Sequence, residues 1–329
     1  MPSRSLFPLV LAAVLLAGCG TAPPAPAGPG STGVPGSTAA APSATPPAPS
    51  SSTPVAPPPS APPASELPRG GRELFPRYRL FGYSGYPGAP GQGRLGIGSL
   101  DARMKEIEQR GQAWRGGRTL LPVMELIAVT VHGSPGRDGM YRSRTSEAII
   151  KRWHDAATRH KALLLLNIQP GRADFIDEVK HFEKWLKYPN VGVALDPEWA
   201  VGKGQVPGRV FGSTTGRELN DVALYLSQLT AANALPQKVM LFHQLHVTIV
   251  KKPKDLRPQP GVVYINSVDG IGSPGAKVAT FQRVMKTRPS YVHPGFKLFY
   301  SEDVKTGKRL MTAKEVLRLR PQPEYVLFE

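Results

Sequence analysis

The chain has 329 residues, and its 41 Lys and Arg outnumber its 24 Asp and Glu, which gives a formal net charge of +17 at pH 7. Its single cysteine, Cys19, excludes a disulfide within the chain, so a folded domain must depend on its apolar core. A basic surface favours polyanionic surroundings such as anionic lipid headgroups or wall polymers; a general effect on solubility and adhesion is the alternative. We expect no nucleic-acid partner, because the lysines and arginines are scattered along the sequence.

The first twenty residues have the layout of a secretory signal. Arg4 precedes an apolar run from Leu6 to Leu16, which is shorter than a membrane-spanning helix and is followed by small residues. The ending Leu-Ala-Gly-Cys resembles the lipobox of bacterial lipoproteins, in which the cysteine becomes the lipidated first residue. The resemblance implies a signal peptide over 1–18 and an extracytoplasmic protein anchored to the bacterial cell membrane through Cys19. An ordinary signal peptide with a chance cysteine is the alternative.

Residues 19–68 predict a disordered tether with polyproline II character. They are mostly Pro, Ala, Ser, Gly and Thr, and their few apolar side chains cannot form a core. Up to residue 68 only Arg4 and Glu66 are charged and they cancel, so the net charge of +17 belongs to residues 69–329. We expect the tether to hold a domain over 69–329 away from the membrane.

Eight apolar runs of strand character follow, with seven connections that are mostly helical. The strand-like runs are YRLFGYSG (78–85), TLLPVMELIAVTV (119–131), KALLLLNIQPG (161–171), VGVALDPEWA (191–200), QKVMLFHQLH (237–246), GVVYINSVDG (261–270), GFKLFYSED (295–303) and PEYVLFE (323–329). Helical spacing of apolar residues occurs over 99–114, 145–160, 174–189, 214–236, 275–289 and 312–321. Asp174 is a natural N-cap, and a weak helix or loop continues to about Asp255.

Continuous apolar runs are typical of parallel strands covered by helices. Eight of them in a chain of this size predict an α/β fold, a (β/α)8 or TIM barrel. A doubly wound open sheet is the alternative. No G-x-G-x-x-G opens a helix after the first run, and the glycine-rich GYSGYPGAPGQGRLG indicates a rim loop rather than a phosphate-binding turn.

Polar and aromatic side chains gather where the predicted strands end, which is where barrels of this kind place their sites. The candidate substrate-binding residues are Tyr83, Glu125, Asn167, Gln169, Trp199, His243, Gln244, Asn266, Asp269 and Tyr300. Carboxylates, amides and rings together suit a sugar, although a helix cap or rim salt bridge is the alternative for any one of them. Glu125 interrupts an apolar strand, so it requires either a buried ion pair, for example with an arginine, or a role in binding.

Asp196 and Glu198 lie two residues apart, so on an extended chain they point to the same side. Glycosidic cleavage divides its acid and base work between two such carboxyls. The sequence LDPEW resembles the D-x-E at the fourth strand of glycoside hydrolase barrels, including the chitinase-like family 18 and the lysozyme-like family 25. The resemblance implies Glu198 as the general acid and Asp196 as its helper. The chitinase-like signature has a further aspartate where this chain has Ala194, which puts a substrate-assisted N-acetyl mechanism in question.

A second resemblance is to the large glycosidase clan with an acid glutamate after strand four and a nucleophile glutamate after strand seven. It implies Glu302 as the nucleophile and Trp199 as a stacking wall. That clan usually has asparagine before its acid, where this chain has Pro197, and Asp303 competes with Glu302. The blocks LLLLNIQPGRADFIDEV, VGVALDPEW, GQVPGRVFGS and LPQKVMLFHQ resemble an exported bacterial family of lipid-anchored or secreted barrel proteins, which implies export and a barrel but leaves the reaction open.

These patterns predict a monomeric glycosidase with Glu198, Glu302 and Asp196 in catalytic roles. A cell-envelope or extracellular glycan, such as a cell-wall polymer, is the expected partner. We expect no cofactor and no metal, although His243 and His246 with nearby carboxylates are ligand types for zinc or a harder cation. The sequence contains no G-x-S-x-G motif, so a serine nucleophile is not expected. The alternative from another class is an envelope lipoprotein that binds a glycan without cleaving it.

Overall fold

Eight parallel strands form a closed sheet in the structure, a computed structural model that describes residues 65–329. The expected signal peptide, Cys19 and nearly all of the tether lie outside these residues. The strands are β1 (Tyr78–Gly85), β2 (Thr119–Val131), β3 (Leu163–Ile168), β4 (Val191–Leu195), β5 (Lys238–Gln244), β6 (Val262–Val268), β7 (His293–Leu298) and β8 (Tyr325–Phe328). Because β1 pairs in parallel with both β2 and β8, the sheet has no edge at this point. The predicted (β/α)8 barrel is confirmed, and the open sheet is excluded.

Helices connect the strands in the predicted order. They are α1 (Leu100–Gly111), α2 (Glu147–Arg159), α3 (Phe175–His181), α4 (Glu183–Leu186), α5 (Gly216–Ala232), α6 (Pro274–Met285), α7 (Glu302–Gly307) and α8 (Ala313–Leu317). The predicted helix over 174–189 is divided at Phe182, whose N–H donates to the carbonyl of Val179 in a tight turn. Among the described residues, none of these helices has the length and apolar character needed to cross a membrane.

Two connections contain short strands that sequence periodicity did not predict. Residues Arg142–Arg144 pair antiparallel with β2, and the buried Glu178 of α3 forms ion pairs with Arg142, which is partly exposed, and with Arg144, which is exposed. Thr214–Thr215, at the start of the helix predicted over 214–236, pairs in parallel with Val250–Lys251, which lies in the segment expected to be a weak helix or loop. This pairing joins the loop after β4 to the loop after β5.

The apolar side chains form two clusters because residues alternate across each strand. The outer cluster lies between strands and helices, and the inner cluster fills the barrel. The inner cluster includes Leu80, Leu121, Val123, Leu163, Leu165, Ala194, Val239, Leu241, Val263, Ile265, Tyr325 and Leu327. Gly82 lets β1 approach β2 closely, since a Cβ there would lie 1.9 Å from the carbonyl oxygen of Val123.

Residues 65–77 lie across the amino ends of the barrel strands. Leu67 and Leu74 are buried in the inner cluster. The carbonyl of Arg72 accepts from Gln237 N at 2.9 Å, and its guanidinium donates to the carbonyl oxygen of Leu235 at 2.7 Å. The segment therefore closes the amino end of the barrel, and the opposite end, the barrel mouth, is where the strands finish.

Candidate active site at the barrel mouth

A polar layer follows the apolar inner cluster at the carboxyl ends of the strands. Side chains alternate along a strand, so residues two positions apart face the same side. Val123, Leu165 and Leu241 face the inside of the barrel. Two positions later, Glu125, Asn167 and His243 therefore face inward as well. The residues of this layer are Ser84, Glu125, Asn167, Asp196, Glu198, His243, Ser267, Asp269, Lys297 and Glu329. Each barrel strand, or the residues just beyond it, contributes to the layer, so the mouth is polar all round.

Glu125 is fully buried and accepts three hydrogen bonds. Asn167 Nδ2 and His243 Nε2 each lie 3.0 Å from its Oε1, and the hydroxyl of Tyr325 donates to Oε2 at 2.7 Å. Burial alone would raise the pKa of Glu125, but the charge of His243 and these hydrogen bonds lower it to about 2. Glu125 is thus part of a buried ion pair whose partner is a histidine and not an arginine.

His243 is fully buried and lies between two carboxylates. Burial alone would lower its pKa, but the negative charge of Glu125 outweighs burial and raises the pKa well above its usual value. Its second nitrogen, Nδ1, lies at the ion-pair distance of 3.4 Å from Asp269 Oδ2, and Asp269 also raises the pKa of His243. His243 therefore links Glu125 inside the barrel to Asp269 at its mouth.

Lys297 is the second cation of the mouth. Its Nζ lies 2.6 Å from Glu329 Oε2, and the hydroxyl of Ser84 donates to the same oxygen at 3.0 Å. Burial would lower the pKa of Lys297, but the charges of Glu329, Asp269 and Asp196 raise it, so the amine stays charged. Glu329 thus has its own cation and its own hydroxyl donor.

Asp196, Glu198 and Asp269 form a group of three carboxylates. Each offers an oxygen atom, and these atoms all lie within 4.8 Å of one another. Pro197 starts a single 3-10 turn after β4, which brings Glu198 back beside Asp196 instead of carrying it away along the strand. Oxygen atoms this close also suit a hard cation such as Ca²⁺ or Mg²⁺, so this group could hold a metal.

Burial and mutual repulsion shift the pKa values of two of these carboxyls. The pKa of Glu198 is raised well above its usual value by burial first and then by the charges of Asp196 and Asp269. Burial also raises the pKa of Asp196, to about 6, although the charges of His243 and Lys297 oppose the shift. Glu198 remains partly exposed, so a molecule in the mouth can reach a carboxyl that holds its proton more tightly than an ordinary glutamate.

Several buried polar atoms of the mouth have no hydrogen-bond partner among the described residues. They are Asn167 Oδ1, Asp196 Oδ1, His243 Nδ1, Ser267 Oγ and Asp269 Oδ1. Each belongs to a side chain no more than 6% exposed. Buried polar atoms without partners are rare in folded proteins, so their concentration at one end of the barrel indicates a site built to receive a polar ligand.

Glu302, the predicted nucleophile, is exposed on the first turn of α7 and is not one of the three grouped carboxylates. The strand predicted to reach residue 303 ends at Leu298. Asp303 is buried and accepts hydrogen bonds from the backbone N–H groups of Gly272 and Phe299, beside Lys277. Asp303 therefore stabilises the loops, and the role of Glu302 stays a prediction.

Six predicted substrate-binding residues and His246 lie outside the inward layer. Gln244 accepts from Asn266 Nδ2 at 2.8 Å, Tyr300 donates to the hydroxyl of Tyr83 at 3.3 Å, and Gln169 accepts from the backbone N–H of Val131. Trp199 is partly exposed in the turn that carries Glu198, and His246 is exposed and contacts Thr248. The structure thus separates the two histidines proposed as joint ligands.

Sequence reasoning missed Ser84, Ser267 and Lys297, and it did not give Glu329 a role. Each lies at an inward position by the same alternation, since Ser267 follows Ile265 and Lys297 follows Gly295 at a spacing of two. Counting every second residue along each strand, starting from the apolar residues that face inward, would have identified these positions.

A comparison with models of known protein families found no match, and no curated protein matches the chain. The resemblances to glycoside hydrolases and to an exported family therefore remain expectations from the sequence. The barrel and the geometry of its mouth are the basis for assigning a function.

Proposed function

We propose that the protein is a lipid-anchored, extracytoplasmic glycoside hydrolase that acts on a cell-envelope or extracellular glycan. The observation that supports it best is the group of Asp196, Glu198 and Asp269, with oxygens within 4.8 Å of one another. Glycosidic cleavage needs one carboxyl that keeps its proton and another that is ionised. The raised pKa of Glu198 suits the first of these roles.

In the proposed reaction Glu198 protonates the glycosidic oxygen, and the bond from that oxygen to the anomeric carbon breaks. A carboxylate oxygen of Asp269 bonds to the anomeric carbon. Ionised Glu198 then takes a proton from water, whose oxygen attacks the anomeric carbon and releases Asp269. The separation of at most 4.8 Å between their oxygens is close to the ~5–5.5 Å of retaining enzymes and below the ~6.5–9.5 Å of inverting ones.

Asp196, Lys297 and His243 determine the electrostatic environment of the proposed acid, Glu198. Asp196 raises the pKa of Glu198, while Lys297 and His243 act in the opposite direction. Trp199, partly exposed beside Glu198, offers a ring for a sugar to stack on. Lipidation at Cys19 would hold the domain near its substrate.

A second function, glycan binding without cleavage, has one observation in its favour. The loop after β4, which begins beside Glu198 and Trp199, also exposes two large apolar side chains, Phe211 to 58% and Val210 to 42%. A binding protein would use this surface and would not need an acid.

Release of sugars from purified envelope polysaccharides tests the proposal. Wild type should release sugars, and Glu198→Gln and Asp269→Asn should lose roughly 10²-fold or more, the usual contribution of an acid or base. Asp221→Asn is the matched control, because Asp221 is an exposed carboxylate on α5. Glu302→Gln decides between Asp269 and Glu302 as nucleophile. Equal release by wild type and Glu198→Gln would remove Glu198 from the mechanism, and wild type that retains a glycan without releasing sugars would favour the binding protein.

A further inference from the structure

The barrel mouth contains more negative charge than its own cations compensate. When Glu198 holds the proton that the proposed reaction needs, four other carboxylates of the mouth remain, Glu125, Asp196, Asp269 and Glu329, against two cations, His243 and Lys297. His243 pairs with Glu125 at 3.0 Å, and Lys297 pairs with Glu329 at 2.6 Å. Among the described residues, the one cationic atom at ion-pair distance from the three grouped carboxylates is His243 Nδ1, 3.4 Å from Asp269, while the charge of Lys297 acts on them from farther away.

Unpartnered acceptor atoms lie in the same place. Asp196 is 5% exposed and its Oδ1 accepts no hydrogen bond from the described residues. Ser267 is fully buried, its Oγ has no partner there, and it precedes Asp269 by two residues on the inward side of β6. Asn167 Oδ1, on a side chain 2% exposed, is also without a partner. Carboxylate, hydroxyl and amide oxygens can all accept, so the complementary ligand is a donor that carries positive charge.

We infer that the sugar unit bound in the mouth carries a free amine, as a de-N-acetylated amino sugar does, and that Asp196 accepts its ammonium group. This inference rests on the proposed function for the ligand being a sugar. The cleavage reaction uses two carboxyls, Glu198 and Asp269, which leaves Asp196 available. An ammonium offers three N–H donors and a full charge.

Other substituents fit the mouth less well. An N-acetyl group offers one N–H donor, and its carbonyl oxygen would be repelled by carboxylate oxygens. A hydroxyl brings no charge to compensate the surplus carboxylate. A hard dication would compensate the charge, but it would take Glu198 as a ligand and so remove the proposed acid.

Binding of matched oligosaccharides to the full chain tests this inference without requiring cleavage. Fully de-N-acetylated and fully N-acetylated glucosamine and galactosamine tetramers are titrated by calorimetry at fixed ionic strength. We expect the free-amine tetramers to bind about tenfold or more tightly, as for a charge-assisted hydrogen bond. Because the whole chain carries a net charge of +17, non-specific electrostatics would oppose this preference.

The variants assign the preference to a residue. Asp196→Asn should abolish it and Asp221→Asn should preserve it; if Asp196 only tuned Glu198, Asp196→Asn would leave the ratio between the two tetramers unchanged. CaCl₂, MgCl₂ and MnCl₂ are titrated in parallel. Equal or better binding of N-acetylated tetramers, or tight binding of the metal ions alone, would overturn the inference.

The two proposals fail in different ways. An amine preference in wild type, with no sugar released from any polymer, supports the amine site and refutes the hydrolase. Release from N-acetylated polymers alone supports the hydrolase and refutes the amine site. The wild-type preference is decisive even if Asp196→Asn does not fold.

Discussion

Replacement of Glu125 by glutamine tests whether the polar layer stabilises the barrel. The variant keeps the shape of the side chain but removes the charge that His243 and Tyr325 contact. The pKa of Glu125 is about 2 in the fold against 4.5 unperturbed, a difference of about 2.5 units, which corresponds to about 3 kcal/mol at 1.36 kcal/mol per unit. Because the pKa in the folded state is lowered, this stability is present above pH 4.5 and is lost as pH falls towards 2.

Urea unfolding of wild type and Glu125→Gln at pH 7 measures the free energy of unfolding directly. We expect the variant to lose about 3 kcal/mol at pH 7, and the difference to shrink as the pH is lowered through 4. Glu147→Gln is the control, because that side chain is 72% exposed and its pair with Lys184 contributes less than about 1 kcal/mol. A loss below about 1 kcal/mol for Glu125→Gln, or a loss that does not change with pH, would refute the reasoning.

Three further outcomes follow. Asp196→Asn should raise the free energy of unfolding at pH 7 by about 3 kcal/mol, because the pKa of Asp196 is about 6 in the folded state and 3.8 when unperturbed. The gain in stability should vanish below pH 3.8, and urea unfolding at a series of pH values measures it. Gly82→Ala should cost about 3 kcal/mol or more in thermal or urea unfolding, because its Cβ would meet Val123 O, whereas Gly91→Ala, with nothing within 4 Å, should change little. Glu178→Gln should cost roughly 1.5–3 kcal/mol and speed amide exchange in residues 142–144, since it removes the charge to which two partly solvated arginines donate hydrogen bonds; exchange as in wild type would contradict this.

The barrel could be predicted from the sequence because each strand is a continuous apolar run, and parallel strands buried on both faces need such runs. The site could be predicted only in part, because one position along a strand decides whether a side chain faces the mouth or the helices. Asp196 and His243 were found at inward positions, whereas Gln244 and Asn266 are polar, adjacent to inward residues, and face the other way. Composition at strand ends does not distinguish the two faces.

Glu302 shows a second limit of sequence reasoning. The apolar run through Phe299 and Tyr300 continues past the end of β7, so hydrophobicity alone extended the strand to residue 303. The helix α7 begins at Glu302 and has only 6 residues, too few for helical periodicity to be recognised. Lys297 was missed for the opposite reason, since a lysine in an apolar strand looks like an interruption until its partner Glu329 is known.

The segment over 65–77 fixes the end at which the chain enters the barrel. It closes the amino end, so the polypeptide enters the domain at the face opposite the carboxylates. The segment and the grouped carboxylates thus lie at opposite ends of the strands, so a ligand in the mouth does not contact the residues that close the amino end.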